Sequence, residues 1–437
     1  MITYTEALDY IYDLTKYGIK LGLENVKLLL FLLGNPHRKM KIIHVAGTNG
    51  KGSTSSLISS ILQSDGYKVG LYTSPHLVDF TERIKINNKQ IGRKKVSELL
   101  ERIKPSIDKV ANTPSYGHPT FFEVITSLAF LYFFEEQIDF LVLEVGLGGR
   151  LDATNICEPL ISVITHVDYD HMDKLGNSLK EIAREKGGII KAGGIVISST
   201  QYNEVYKEIK KIAKEKKSLI YSTGKEINYK IVKSDTKGVI FDLKGIYHNY
   251  KNLHTPLLGR HQADNAATAI TTVEALKNKG INISEKAIRD GLEKVKWTGR
   301  LEIIQFKPTL VLDGAHNPSG VKVARDALKE IFSYQRLILV LAIFADKDYK
   351  KMIQVLAPDA DLIIATKAKN PRAASPQAIA KEAAQYMSKD KIIVTEDIPQ
   401  AINCALSNSN EDDLICIIGS LYTVGEAKGY FDSKECK

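Results

Sequence analysis

The chain has 437 residues, 25% of them charged and 44% hydrophobic, which suits a folded protein of two or three domains and excludes disorder along its whole length. Its 60 Lys and Arg against 51 Asp and Glu leave a formal charge of +9, but the lysines are dispersed, as across 207–217, which argues against nucleic acid and suits anionic small molecules. Cysteines Cys157, Cys404, Cys416 and Cys436 have neither metal-ligand spacing nor disulfide density; Met1-Ile2-Thr3-Tyr4-Thr5-Glu6 opens no leader; and the apolar runs 28–33 and 337–344 fall short of the about 18 residues of a membrane helix. A cytoplasmic protein with reduced thiols is expected, with no membrane partner.

In chain order, residues 1–35 read as helical, because Leu8, Ile11 and Leu14, then Val26, Leu29, Leu30 and Leu33, recur near a 3.6 period. Gly34-Asn35-Pro36 stops the second helix. From Lys41 onward, short apolar runs at 42–46, 69–72, 140–145, 161–165 and 195–198 alternate with helical stretches, as in a parallel sheet covered by helices. Four of these runs end in polar clusters: Gly47-Thr48-Asn49, Thr73-Ser74-Pro75-His76, Glu144, and His166-Val167-Asp168-Tyr169-Asp170-His171. Ligands of open α/β sheets bind beyond the carboxyl ends of the strands, so these clusters are expected at one site.

Between 218 and 256, the alternation of Ile227, Tyr229 and Ile231 and of Val239, Phe241 and Leu243 predicts a small antiparallel insert. A helix over 262–278 follows, and Trp297-Thr298-Gly299-Arg300 reads as a linker. A second alternating unit carries strand candidates at 310–313, 337–343, 362–365, 392–394 and 414–418. The expected fold class is α/β with two domains: 1–297, a P-loop mononucleotide-binding parallel sheet with a small antiparallel β insert, and 298–437, a Rossmann-like α/β domain.

The run 41–46, the turn Gly47-Thr48-Asn49-Gly50-Lys51-Gly52 and the helix opening at Ser53 make the strand, loop and helix of a phosphate-binding site. Glycines let several N–H groups face one anion, and the helix N-terminus adds partial positive charge. Lys51 is placed to reach the β- and γ-phosphates. The strict G-x-x-x-x-G-K-[ST] pattern is not met, because Val45 takes the first glycine position and Gly52 follows Lys51. Glu144 ends an apolar strand where an unpartnered carboxylate is costly to bury, and a cation resolves that cost. Mg²⁺ takes one or two carboxylates, with phosphates and water completing its shell.

The segment 47–53 resembles the variant loop of folylpolyglutamate and dihydrofolate synthases, relatives of the Mur peptide ligases. Further motifs agree in order along nearly the whole chain: Tyr72-Thr73-Ser74-Pro75-His76-Leu77; Leu143-Glu144-Val145-Gly146-Leu147-Gly148-Gly149-Arg150-Leu151-Asp152-Ala153-Thr154-Asn155; His261-Gln262-Ala263-Asp264-Asn265-Ala266-Ala267; Gly299-Arg300-Leu301-Glu302; Asp313-Gly314-Ala315-His316-Asn317-Pro318; Ala345-Asp346-Lys347-Asp348-Tyr349; and Gly419-Ser420-Leu421-Tyr422. Two positions depart from the family, Thr298 where many members have proline and Phe344 where leucine is common, and neither removes a reacting group.

The resemblance implies an ATP-dependent ligase adding L-glutamate to folate, and to dihydropteroate as well, through an acyl phosphate attacked by the glutamate amine. It implies ATP contacts from Thr48, Asn49, Gly50, Lys51, Gly52, Ser53, Asn265, Arg300 and Asp313. Ser74 and Glu144 are implied as Mg²⁺ ligands, with His171 at a second metal position and Lys186 matching a lysine that family members carry carbamylated. Lys51, Lys186, His316 and Ser420 are implied at the chemistry, the last two handling glutamate. Thr120, Phe121, Phe122 and Glu123, with Asp152, are implied on the pterin side. A monomer acting on small molecules is expected. Two other readings stand beside this one. A Mur-type ligase with another acceptor is disfavoured by the mere 46 residues before Gly47, and an NTP-hydrolysing switch would use the same loop without ligation.

Overall fold

The computed structural model describes residues 2–435 except 19, 21 and 115, so Met1 and Cys436 lie outside the described residues. Strands β1 (Ile42–Ala46), β2 (Val69–Tyr72), β3 (Ile84–Ile86), β4 (Lys89–Gln90), β5 (Phe140–Glu144), β6 (Ile161–Ile164), β7 (Ile195–Ser198) and β8 (Leu219–Ser222) form one sheet in the order β4-β3-β2-β5-β1-β6-β7-β8. Every residue of β1, β2, β5, β6 and β7 is buried. Helices cover both faces, which is why these strands read as unbroken apolar runs rather than alternating ones.

The sheet departs from the expected parallel one at its ends. The short edge strands β3 and β4 run antiparallel, and their Lys-rich sequence carries little apolar signal. Strand β8 pairs in parallel with β7, so the start of the stretch read as an insert belongs to the main sheet. The insert itself is β9 (Asn228–Asp235), β10 (Gly238–Lys244) and β11 (Asn249–Thr255), antiparallel in the order β11-β10-β9.

After β1 the chain turns into the helix Lys51–Ser64, whose residues 53–62 are all buried although six of them are Ser or Thr. Small side chains let the helices His261–Ala275 and Glu285–Lys294 approach closely, and two of the hydroxyls bond to the neighbouring chain: Ser60 Oγ donates to the Gly291 carbonyl at 2.7 Å and Ser56 Oγ to that of Lys296 at 3.2 Å.

The second sheet contains β12 (Glu302–Gln305), β13 (Thr309–Asp313), β14 (Leu337–Leu341), β15 (Leu362–Ala365), β16 (Ile392–Val394) and β17 (Leu414–Ile418), in the order β12-β13-β17-β14-β15-β16. Only β12 is antiparallel. Leu337, Leu339 and Leu341 enter one apolar core while Ile338 and Val340 enter the other, the period of two that a doubly covered sheet requires.

Candidate active site

A cavity of about 720 Å³ opens between the two sheets. The residues following β1, β2, β5 and β6 line it, together with those following β13, so the four polar clusters do meet.

Gly50, at φ 85°, is the residue before the helix Lys51–Ser64, and that conformation is cheap only for glycine. The first N–H groups of the helix, at Lys51, Gly52 and Ser53, have no partners within it and stand at the cavity wall. The N–H groups of Thr48 and Asn49 behave differently: both donate to the His166 carbonyl, at 2.8 and 3.1 Å, and fix the loop to the end of β6. Thr48 Oγ1 adds a bond to the Asp168 carbonyl at 2.9 Å. Lys51 Nζ donates to the carbonyls of Gly47 and Thr48 at 3.1 and 3.2 Å. Burial lowers its pKa, against the pull of Glu144 and Asp170. Asn265 Oδ1 lies 3.4 Å from Thr54 Oγ1, and Asn265 Nδ2 donates to Gln262 Oε1 at 2.9 Å, which holds this amide beside Gly50.

Glu144 is 4% exposed. Its carboxylate accepts the Ser74 N–H at 3.2 Å, and burial pushes its pKa up to about 7 against the opposing charges of Lys51, Arg300 and Arg83. Lys186, also buried, donates to the Gly47 carbonyl at 2.8 Å. Burial, and secondarily the Lys51 charge, lowers its pKa to about 7. His171 Nε2 is 3.1 Å from Lys347 Nζ, and its pKa falls to about 4, first through burial.

From the second domain, Asp313 accepts the N–H groups of Leu301 and Ala315 at 3.0 and 2.8 Å. Its pKa is raised by burial, against Arg300. Arg300 Nη1 donates to the Gly299 carbonyl at 2.9 Å. His316 Nε2 is 3.5 Å from Asp170 Oδ2.

Sequence reasoning assigned no role to Asp170 or Lys347, which form an ion pair at 2.6 Å between the domains. Burial raises the Asp170 pKa, but hydrogen bonding to His316 and the charges of His171, His316 and Lys347 outweigh it and hold the carboxyl well below the usual range. Both residues lay within quoted motifs. They lie 177 positions apart, and no periodicity or spacing in the sequence links them.

Several expected residues lie away from the cavity wall. Thr120 and Glu123 are buried in a reciprocal cap of the helix Phe121–Glu135, with Glu123 Oε2 accepting the Thr120 N–H at 2.7 Å. Phe121 stacks on Tyr12 with ring centroids 5.9 Å apart, and Phe122 packs against Gly146. Asp152 accepts from Leu147 N and Thr154 N, both at 2.9 Å, and so shapes the loop behind Glu144. Ser420 Oγ accepts the Thr423 N–H at 3.0 Å, as a cap of the helix Leu421–Glu435.

Residues 45–273 match the Mur ligase middle domain and residues 299–421 the Mur ligase glutamate ligase domain, so fold and site together define a ligase of the Mur superfamily. The dihydrofolate synthase/folylpolyglutamate synthase of Bacillus subtilis is 38% identical over 97% of this chain and 98% of its own length. Among solved structures, the Mycobacterium tuberculosis folylpolyglutamate synthase complexed with ADP superposes with a TM-score of 0.91 at 30% identity, covering 98% of this chain and 99% of that one. The Escherichia coli FolC in complex with DHPP and ADP gives 0.89 at 31%, covering 99% of each. The chain belongs to the folylpolyglutamate synthase/dihydrofolate synthase family, the ATP-dependent carboxylate–amine ligases within that superfamily.

Proposed function

We propose that this protein adds L-glutamate to folate and to dihydropteroate at the expense of ATP. The observation that carries the reading is the facing of two half-sites across one cavity: Lys51 and Glu144 at strand ends of the first sheet, Arg300, Asp313 and His316 at the edge of the second. ATP lies on the helix N-terminus at Thr48, Asn49, Gly50, Lys51, Gly52 and Ser53, with Asn265, Arg300 and Asp313 on the nucleotide. Lys51 neutralises phosphate charge as the acceptor's carboxylate attacks the γ-phosphorus, giving ADP and an acyl phosphate. The glutamate amine, oriented by His316 at the cavity wall, attacks the acyl carbon; phosphate leaves and an amide remains, with Ser420 acting only through the cap that starts the helix Leu421–Glu435. Holding both reactants between closed domains is worth roughly 7–11 kcal/mol, more than the roughly 2.7–4 of one oxyanion donor, so alignment dominates.

Mg²⁺ fits the residues present. Glu144 is a buried carboxylate with no ion-paired basic side chain among the described residues, and Ser74, whose N–H it accepts, lines the same cavity. Among the described residues no group of three or more His, Cys, Asp or Glu could hold an ion alone, which suits an ion that shares its shell with phosphates. When bound, it offsets charge developing on the transferred phosphoryl group. His171 belongs to a second metal position, with Lys186 as a carbamate; the amine's lowered pKa supports that modification. The acceptor's pterin side is assigned to the start of the helix Phe121–Glu135, outside the phosphate cavity: Phe121 supplies the ring, Thr120 and Glu123 cap that helix, Phe122 packs on Gly146, and Asp152 shapes the adjoining loop. The domains divide at 297/298, supported by Trp297 packing on the helix of the first domain and the second sheet starting at Glu302. Among the described residues no helix is long and apolar enough to cross a membrane. A cytoplasmic monomer, with no nucleic-acid partner, completes the reading.

The test is an assay of purified protein with dihydropteroate and with a reduced folate, each with ATP and labelled glutamate. Labelled amide from both acceptors is expected. ATP hydrolysis indifferent to glutamate would overturn the ligase reading in favour of a switch, and product from one acceptor alone would remove the second activity.

A further inference from the structure

A closed ring of three hydrogen bonds joins the phosphate loop to the second domain. Asn49 Nδ2 donates to Ser319 Oγ at 2.8 Å, Ser319 Oγ donates to Asn317 Oδ1 at 3.3 Å, and Asn317 Nδ2 donates back to Asn49 Oδ1 at 3.1 Å. Asn317 Nδ2 also lies 3.4 Å from Asp170 Oδ2, and Asn317 Oδ1 accepts the Gly320 N–H at 2.8 Å, capping the helix Pro318–Ile331. The amide can face only one way: a backbone N–H only donates and an ionised carboxylate only accepts. Asn317 is 2% exposed, so both ends of its amide are held inside protein.

A helix cap needs only the oxygen end, and serine or aspartate would serve as well. The donor end serves the other domain. It meets Asn49 of the phosphate loop and Asp170, the same carboxylate that takes the Lys347 ammonium. Lys347 and Asn317 both come from the second domain, from different segments, and converge on Asp170. Asn49, one residue before the glycine that opens the helix, is therefore held from the far side of the cavity.

We infer that Asn317 is a positioning residue that couples docking of the second domain to the conformation of the phosphate loop, through Asn49, with Asp170 as the anchor. The loop backbone is anchored within the first domain at His166, but the Asn49 side chain is held only in the docked arrangement, which ties ATP use to the presence of the domain that brings the amine. The kinetic part rests on the ligase reading; the docking part does not.

Two variants test it. Asn317→Ser keeps a capping oxygen and is too short to reach Asn49; Asn317→Asp keeps the cap and sets a second carboxylate beside Asp170. Both are expected to lower kcat by about 10- to 100-fold, the usual cost of a small misplacement of reacting groups, with a native circular dichroism spectrum. Asn49→Ala is expected to match them, and Asn49→Ala combined with Asn317→Ser to lose no more than the worse single variant, because both break one ring. Wild-type kcat in Asn317→Ser, or losses that multiply in the double variant, would overturn the coupling. Small-angle scattering of the substrate-free proteins gives the independent reading: a larger radius of gyration is expected for Asn317→Asp, and an unchanged one would overturn the docking role whether or not the wild type forms amide.

Discussion

The Lys186 ammonium donates to the carbonyl oxygen of Gly47 at 2.8 Å, so a helix residue 139 positions downstream holds the start of the phosphate loop from behind. A lysine in that place, buried and near Lys51, has its pKa brought down to about 7. The neutral amine is then a substantial species at neutral pH, and only a neutral amine adds CO₂.

Carbamylation is accordingly expected to control activity. Protein freed of CO₂ should lose turnover and regain it with bicarbonate, faster at pH 8 than at pH 6 because the amine is neutral above about 7. Lys186→Arg keeps a cation that does not deprotonate and should be inactive with or without bicarbonate. Full activity in that variant would remove the carbamate from the mechanism.

Glu144 gives a prediction about stability. Its folded pKa of about 7 exceeds the ordinary 4.5, so between those values the native state holds a proton the unfolded chain lacks, and stability falls as pH rises across that window. The cost is complete above pH 7 and amounts to about 3 kcal/mol in the absence of a divalent cation. Glu144→Gln should therefore raise Tm at pH 8 without Mg²⁺, leave it unchanged at pH 4, and abolish the stabilisation that Mg²⁺ confers on the wild type. Calorimetry at the two pH values checks this; equal Mg²⁺ stabilisation in both proteins would exclude Glu144 as a ligand.

The strand ends were legible because buried parallel strands announce themselves as apolar runs, so the clusters holding Gly47, Ser74, Glu144 and His171 were expected together and do line one cavity; the roles of Ser74 and His171 came from the family resemblance alone. The hairpin of β3 and β4 was not, since exposed Lys89 and Gln90 carry no burial signal. Nor was the interdomain pairing of Asp170 with Lys347 or of Asn49 with Asn317, because a polar contact between distant segments depends on how two domains dock and leaves no periodicity in either. Ser420, Thr120 and Glu123 show the converse: a capping pattern, visible as Thr-x-x-Glu at 120–123, proved to be a cap in the fold.

Packing at Gly52 sets a third expectation. A Cβ there would lie 2.3 Å from the Trp297 ring, in the first turn of the phosphate-binding helix and against the residue that leads into the second domain. Gly52→Ala must push that ring aside, at a cost of about 1–3 kcal/mol typical of overpacking, and should reduce ATP affinity as the helix start shifts. Chemical denaturation and a nucleotide titration would read the two effects; an unperturbed protein would mean that the indole moves freely.

The sharpest division of labour is expected between Lys51 and Arg300, which approach the cavity from opposite domains. Lys51 stands where phosphate charge must be neutralised, so Lys51→Ala should abolish ligation, by about 10²–10³-fold or more on the scale of a lost transition-state donor. Arg300 enters from the linker, with its guanidinium on the Gly299 carbonyl and beside Gly314. Its removal should leave the first domain's loop intact while weakening the hold of the second domain on the nucleotide. Arg300→Ala is therefore expected to raise the KM for ATP and lower kcat with the fold retained. Steady-state kinetics at limiting and saturating ATP separate the two residues: wild-type turnover in Lys51→Ala would refute the phosphate assignment, and full activity of Arg300→Ala at limiting ATP would confine nucleotide binding to the first domain.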